Sequence, residues 1–286
     1  MTAVPTAIPK AFIWRRLHSL MGLWLVLFLM EHLLTNSQAA LWLGDNGQGF
    51  VSMVNALHNL PYLQVIEVGL LGIPLLIHMI WGVQYLLTGK KNSGRSDGSV
   101  PHIPSSRNRA YTWQRITSWI LLVCLIGHVV KFRFLEYPEK VFDGQKTSYL
   151  IPISMDEGLK TLSKRLDVTL YDAAAIDQEV AFAQKNKQKL PSGYVLASAK
   201  DFGTATLLAV RDTFKSPFYI GLYTIFVLAA CFHACNGFWT FLITWGWVLK
   251  MSAQRAWGTV AAVMMAVLLF LGLAAIWGTY LINLRY

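Results

Sequence analysis

Long apolar runs dominate this chain and alternate with short polar stretches. Five of the runs reach the length that an α-helix needs to cross a bilayer, at about 1.5 Å of rise per residue. They lie at approximately 13–37, 62–87, 113–134, 217–248 and 257–282. Between the third and fourth runs, residues 139–216 are polar and contain helical-looking stretches at 156–166 and 173–189. The pattern predicts an all-α membrane protein, a bundle of five transmembrane helices with one extramembrane insert.

Prolines mark two predicted helix starts and one interior position. Pro61 and Pro217 lie where the second and fourth helices should begin, and a missing N–H costs little there. Pro74 lies inside the second helix, four residues before His78. Because proline cannot donate a helical hydrogen bond, we expect it to kink the helix or to free a carbonyl near that histidine. No repeat or linker divides the chain, so residues 1–286 are predicted to form one transmembrane domain.

Composition and charge agree with a membrane protein. Of the 286 residues, 55% are hydrophobic and 14% are charged, whereas a soluble domain carries roughly a quarter charged residues. The formal net charge is +10, but the insert contributes only +1, from eleven Lys/Arg against ten Asp/Glu. The excess of basic residues therefore lies on short loops beside the apolar runs. The distribution of basic residues therefore reflects how the chain is oriented in the membrane, and no nucleic-acid partner is expected.

The loops differ in basic residues, and the difference predicts an orientation. Lys and Arg precede the first run, fill the loop after the second and follow the fourth, whereas residues 38–60 contain none. Because basic loops stay in the cytoplasm, the N-terminus is predicted to be cytoplasmic. Helices one, three and five then run outward, and the insert at 139–216 lies outside the cytoplasm.

The three cysteines offer no covalent attachment for a cofactor. Cys124, Cys231 and Cys235 all lie in apolar runs, and no C-x-x-C-H motif is present. Neither a c-type haem nor a disulfide framework is therefore expected. The simplest interpretation makes them small, polarisable core residues.

Four histidines lie in four different apolar runs. They are His32, His78, His128 and His233. An ionisable side chain within the bilayer is costly and usually has a functional partner. Counted from the cytoplasmic ends of the helices, His78 and His233 lie roughly 15–22 Å deep, and His32 and His128 roughly 22–28 Å deep. The four therefore form an inner pair, His78 with His233, and an outer pair, His32 with His128.

Two imidazoles on one iron, with no open position, suit a b-type haem that only relays electrons. We therefore predict two haem b groups as cofactors, with one histidine pair binding each iron. The alternative is structural, since a single intramembrane histidine can simply hydrogen-bond across helices. His58 and His102 lie in predicted loops and are expected to be ordinary solvated side chains.

Several polar residues near the predicted cytoplasmic edge are candidates to bind the propionates of the inner haem. They are Arg16, His18, Ser19 and Arg115. His18 lies fourteen residues before His32 and so faces the same side of its helix. Cationic and hydrogen-bonding groups suit a carboxylate partner. Arg16 and Arg115 could equally be interfacial anchors.

The stretches around these histidines carry a family resemblance. They read FIWRRLHSLMG at 12–22, EHL at 31–33, PLLIH at 74–78, QRITS at 114–118, GHV at 127–129, HACNGFWT at 233–240 and TWG at 244–246. Together they resemble the cytochrome b membrane anchor of succinate:quinone oxidoreductases. The chain looks most like the five-helix, two-haem, single-subunit type of bacilli and of epsilonproteobacterial fumarate reductase.

The resemblance implies a place in a respiratory complex of the bacterial inner membrane. In that family the first helix pairs its ligand with the third, and the second with the fourth, as the depth count predicts. The haem nearer the cytoplasm would face an iron–sulfur subunit, which carries a flavoprotein subunit that oxidises succinate. Electrons would enter at the His78/His233 haem, pass to the His32/His128 haem and reduce menaquinone or another quinone. No flavin or iron–sulfur motif is present, so the chain alone should not oxidise succinate.

Two acidic residues are candidates for handling the protons of the quinone. Glu31 adjoins His32, and Glu67 lies near the outer end of helix two. Both could instead be interfacial residues that reach water. The chain departs from the family in its longer insert and in Cys231, where the epsilonproteobacterial enzymes have a glutamate of a proton path. That departure favours the type found in bacilli.

Two other classes of protein remain as alternatives. The first is the cytochrome b subunit of a nitrate reductase or hydrogenase, whose ligands usually cluster on fewer helices. The second is a transporter or scaffold with structural histidines, although no broken-helix repeat supports it.

Overall fold

The computed structural model describes residues 8–42, 44–89, 102–103, 105–143, 146–175 and 190–286. In this part of the chain, five helices are long and apolar enough to cross a membrane. They are α1 (Lys10–Leu41), α3 (Leu63–Thr88), α4 (Ser106–Leu135), α7 (Pro217–Thr244) and α8 (Met251–Asn283). The five predicted spans and the all-α membrane class are confirmed, with helix ends that differ by a few residues.

Three of the long helices contain a wider, π-helical segment. These segments are Glu67–Gly72 in α3, Val130–Leu135 in α4 and Ala274–Asn283 in α8. In α3 the segment lies directly before Pro74, which cannot donate to the carbonyl of Leu70. The indole of Trp24 donates a hydrogen bond to that carbonyl instead. Pro74 thus leaves the carbonyl of Leu70 to a side chain of α1, eight residues before His78, and a freed carbonyl close to the histidine itself stays a prediction.

The chain divides into two compact units, each assembled from separated stretches of sequence. The first unit comprises Met1–Glu31, Gln64–Val123 and Leu228–Leu268, and the second comprises His32–Leu63, Cys124–Val227 and Leu269–Tyr286. His78 and His233 belong to the first unit, whereas His32 and His128 belong to the second. Each predicted histidine pair therefore lies within one unit.

The insert contains a four-stranded antiparallel sheet, in the order β1-β2-β4-β3. The strands are β1 (Glu139–Asp143), β2 (Lys146–Ser154), β3 (Thr169–Tyr171) and β4 (Tyr194–Ala199). Two helices accompany the sheet, α5 (Leu159–Arg165) and α6 (Phe202–Phe214). The predicted helix at 156–166 corresponds to α5, and most of the stretch at 173–189 lies outside the described residues. The sequence did not predict the sheet.

The loop at 38–60 contains a helix of its own, α2 (Gln48–His58). Its buried face includes Phe50 and Val51, and its Asn55 accepts a hydrogen bond from the backbone N–H of Gly203 in α6. His58 ends α2 and stacks on Phe202, with ring centroids 3.8 Å apart. The expectation of a solvated loop histidine is therefore wrong for His58, because α2 packs against the insert. His102 is exposed, as expected.

A buried arginine joins the insert to the end of α8. Arg211, 2% exposed, donates two hydrogen bonds to Asp156, 2.7 and 2.9 Å long. Its Nε donates to the carbonyl of Leu284, at 2.6 Å. Burial opposes the charge of Asp156, but the hydrogen bonds and charges of Arg211 and Lys215 outweigh it and lower its pKa to about 2. This buried network of hydrogen bonds and ion pairs connects the insert to the C-terminal end of α8 within the second unit.

Candidate haem sites

In the first unit, His78 and His233 face each other at the spacing of two ligands on one iron. Their ring centroids are 6.2 Å apart and their planes are inclined by 85°. A metal ion bonded to two opposed imidazoles at about 2 Å from each nitrogen separates the ring centroids by roughly 6 Å. The predicted pairing of α3 with α7 therefore has a geometry that suits a shared ligand.

Hydrogen bonds determine which nitrogen of His78 is available. Its Nδ1 lies 3.0 Å from the backbone carbonyl of His18. A carbonyl can only accept, so Nδ1 carries the proton and donates it. The lone pair of His78 then lies on Nε2, the nitrogen that a metal would bind.

The same argument fixes the tautomer of His233. Its Nδ1 lies 3.4 Å from the hydroxyl oxygens of both Thr117 and Ser118. Those hydroxyls already donate to carbonyls of their own helix, Thr117 to Trp113 at 2.9 Å and Ser118 to Gln114 at 2.7 Å. They can therefore only accept from His233, which leaves its Nε2 with the lone pair. A partner on Nδ1 that orients the ring is the usual arrangement around a metal-binding histidine.

In the second unit, His32 and His128 have a similar relationship. Their ring centroids are 5.8 Å apart and their planes are inclined by 86°. Nδ1 of His128 lies 3.2 Å from the hydroxyl of Tyr223 in α7. The pair again shows the spacing of two ligands on one metal.

Among the described residues, no group of three or more His, Cys, Asp or Glu side chains is placed to hold a bare metal ion. Histidine pairs are therefore the ligand sets that these residues offer. Two histidines fill two coordination positions of a six-coordinate iron. The four nitrogens of a porphyrin would fill the other four.

Buried nitrogens without protein partners test whether this site fits a haem. In the described part of the chain they are Nδ1 of His18 and Nε and Nη1 of Arg115. Leaving such a group unsatisfied costs about 1–3 kcal/mol, and more when it is charged. His18 stacks on His78 with ring centroids 4.1 Å apart, so one of these nitrogens adjoins a proposed ligand. The two unsatisfied donors of Arg115, and Nδ1 of His18 when it carries the ring proton, fit a carboxylate such as a haem propionate.

Arg115 also has a structural role. Its Nη2 donates to the carbonyls of Leu86 and Gly89, at 2.8 and 2.6 Å, and so caps the C-terminus of α3. Half of the guanidinium is thereby held in place, while Nε and Nη1 remain for another partner. The cap is therefore compatible with a propionate contact at the same residue, and the alternative of an interfacial anchor stays a prediction.

Arg16 and Ser19 join α1 to the end of α7. Arg16 donates to the carbonyl of Thr244, and its guanidinium lies 5.2 Å from the ring of Trp245. The indole of Trp245 donates to the hydroxyl of Ser19, at 3.3 Å. These contacts give Arg16 a structural role within the protein, and both its propionate role and its alternative as an interfacial anchor stay predictions, as does the propionate role of Ser19.

The two carboxylates proposed to handle quinone protons are both half-buried and lie on different helices. Glu31 is half-buried and precedes His32 in α1. Glu67 is half-buried and begins the π-helical segment of α3. Their role in proton transfer stays a prediction.

Sequence reasoning did not single out two residues that shape the first site. A Cβ added at Gly22 would lie 2.9 Å from Cε1 of His78, so glycine allows that ring to approach α1. Gln114 donates to the carbonyl of His233 at 3.1 Å and accepts from Asn236 at 2.8 Å, which joins α4 to α7. Both lie in the stretches that carry the resemblance.

The chain is similar over nearly its whole length to a protein of known family. No family model matches the chain, and no solved structure matches it. The chain is 25% identical over 268 residues to the succinate dehydrogenase cytochrome b558 subunit of Bacillus subtilis (strain 168), covering 93% of this chain and 96% of that subunit. That similarity, which extends over nearly all of both chains, confirms the resemblance to the cytochrome b membrane anchor of succinate dehydrogenase.

Proposed function

We propose that this chain is the membrane anchor of a succinate:quinone oxidoreductase and binds two haem b groups. His78 and His233 would hold one iron, and His32 and His128 the other. The observation that carries the proposal is the facing of two imidazoles at roughly 6 Å in each unit. When bound, the two haems would supply one-electron carriers between an iron–sulfur subunit and menaquinone or another quinone.

The residues around the ligands favour electron transfer over oxygen chemistry. Two histidines per iron leave no coordination position open for a substrate. The hydrogen bonds made by Nδ1 hold three of the proposed ligand rings in one orientation, those of His78, His128 and His233. Such partners also raise the basicity of the ligand and so tune the iron.

The first unit offers the propionate partners. Nε and Nη1 of Arg115 and Nδ1 of His18 would donate to a propionate, which would satisfy all three buried nitrogens. The capping of α3 by the same guanidinium would keep its orientation before the haem binds. Binding would then require little ordering of this side chain.

The partners and orientation follow from the family resemblance and the basic loops. The chain would span the bacterial inner membrane with its N-terminus in the cytoplasm. Its cytoplasmic side would contact the iron–sulfur subunit, which carries the flavoprotein subunit. Glu31 and Glu67 would exchange protons with the quinone. The relative that supports these partners is itself named a subunit of succinate dehydrogenase.

A haem count on the purified protein tests the proposal. A pyridine haemochrome assay should give two protohaems per chain, and alanine at His78 or at His128 should reduce the value to one. His58→Ala is the matched control, because His58 packs on Phe202 and should leave the value at two. A wild-type value of zero or one would contradict the proposal, as would a value that the two ligand substitutions leave unchanged. Co-purification with a flavoprotein would support the proposed complex.

A further inference from the structure

We infer that Tyr223 is a positioning residue for His128 and sets the redox potential of the haem on the His32–His128 pair. The inference rests on the proposed function, since it requires a haem at that pair. The hydroxyl of Tyr223 lies 3.2 Å from Nδ1 of His128. The two rings meet edge to face, with centroids 5.8 Å apart.

Aromatic rings from several elements hold the phenol in place. Tyr223 is 8% exposed. Its ring meets Phe214 of α6 at 5.4 Å, Phe226 of α7 at 5.9 Å and Phe132 of α4 at 6.3 Å. Phe226 also meets His128, at 5.8 Å. Because this packing restricts rotation of the phenol, its oxygen stays within reach of the imidazole.

The direction of the hydrogen bond follows from the chemistry of the ligand. With Nε2 on iron, Nδ1 of His128 carries a proton and can only donate, so the oxygen of Tyr223 accepts. Donation increases the electron density of the imidazole and makes it a more basic ligand. A more basic ligand stabilises ferric over ferrous iron, which lowers the potential. Tyr223 is therefore expected to hold the potential of this haem down.

The acceptor differs in kind from those of the first unit. His78 donates to the backbone carbonyl of His18, which no substitution removes. His233 donates to two hydroxyls, those of Thr117 and Ser118. His128 has a phenol, and one substitution removes it without opening a cavity. This makes Tyr223 a position where the effect can be measured at one haem while the other serves as an internal reference.

A redox titration of the purified haem-loaded protein tests the inference. Tyr223→Phe should retain two haems per chain, raise the midpoint potential of one and leave the other unchanged. Tyr219→Phe is the matched control: it lies one turn earlier in α7, and its ring meets that of Tyr223 at 6.4 Å. It should move neither potential. Two unchanged potentials in Tyr223→Phe, or a lowered one, would overturn the inference.

A second substitution decides the matter if Tyr223→Phe loses a haem. 3-Fluorotyrosine at position 223 keeps the shape and the hydroxyl but makes the oxygen a weaker acceptor. A rise in the midpoint potential of one haem, relative to the wild type, would support the inference, and two unchanged potentials would overturn it. A wild-type protein without haem would instead defeat the proposed function, so the two failures are distinguishable.

Discussion

His18 lies flat against His78, with ring centroids 4.1 Å apart and planes 9° apart, and its backbone carbonyl accepts the hydrogen bond from Nδ1 of His78. One residue of α1 thus orients the proposed ligand and also presents its own buried Nδ1 beside it. The backbone of α1 is therefore part of the first histidine site. Substitutions that push α1 away from His78 should disturb that site before they disturb the fold.

Gly22→Ala should weaken haem binding at the His78–His233 pair. The added Cβ would lie 2.9 Å from Cε1 of His78, so the ring must shift. Overpacking of this kind costs about 1–3 kcal/mol, which corresponds to a loss of affinity of about fivefold to a hundredfold at about 1.4 kcal/mol per factor of ten. Haem transfer to excess apomyoglobin measures the change. Gly221→Ala is the control, because nothing lies within 4 Å of its added Cβ; equal haem loss from both variants would contradict the prediction.

Arg115→Gln should lower the midpoint potential of one haem and leave the other unchanged. A nearby cation favours the reduced haem, and glutamine removes the charge while keeping donors for the carbonyls of Leu86 and Gly89. Potentiometric titration of the purified protein measures both values. Arg109→Gln removes an exposed charge six residues earlier in α4 and serves as the control. A potential that falls equally in both variants would indicate a general effect of charge, and would argue against a propionate contact at Arg115.

The sequence predicted the spans and the histidine pairs because both depend on quantities that counting along the chain provides. The length of an apolar run sets the length of a spanning helix, and 1.5 Å per residue converts position into depth. Depth alone placed His78 with His233 and His32 with His128, and each pair lies together in its unit. The rotation of each helix about its axis is not available from such a count. The partners Tyr223 and Gly22 were therefore missed, since each depends on which side of α7 or α1 faces a particular histidine.

The sheet of the insert was missed for a different reason. Strand prediction relies on alternation of buried and exposed residues. In β2, Tyr149, Leu150 and Ile151 are buried in succession, which breaks the alternation. β4 does alternate, with Val195, Ala197 and Ala199 buried, but six residues give a weak signal beside the helical-looking stretches. The sheet is instead stabilised by α6, which packs against it, and by the pairing of β2 with both β1 and β4. These are long-range contacts, which the pattern of a short stretch of sequence does not show.

Asp156→Asn should destabilise the second unit by about 3 kcal/mol, because it leaves the guanidinium of Arg211 buried without its counter-charge. Arg211 is 2% exposed and donates two hydrogen bonds to this carboxylate. Thermal unfolding of the protein in detergent, followed by circular dichroism, measures the loss. Asp167→Asn removes a carboxylate whose ion pair with Lys200 is largely exposed, and it should change the Tm little. Similar losses in both variants would contradict a special role for the buried pair.

The stabilisation from Asp156 should depend on pH in a defined window. Its pKa is lowered from an ordinary value of 3.8 to about 2, because the hydrogen bonds and charges of Arg211 and Lys215 outweigh burial. A carboxyl whose pKa is lower in the folded state stabilises fully above its unfolded value, and the contribution is lost as the pH falls through the folded value. The Tm difference between the wild type and Asp156→Asn should therefore be constant above about pH 5 and should shrink between about pH 4 and pH 2. A difference that persists unchanged at pH 2, or that shrinks already between pH 7 and pH 5, would show that the carboxylate charge of Asp156 does not provide the stabilisation.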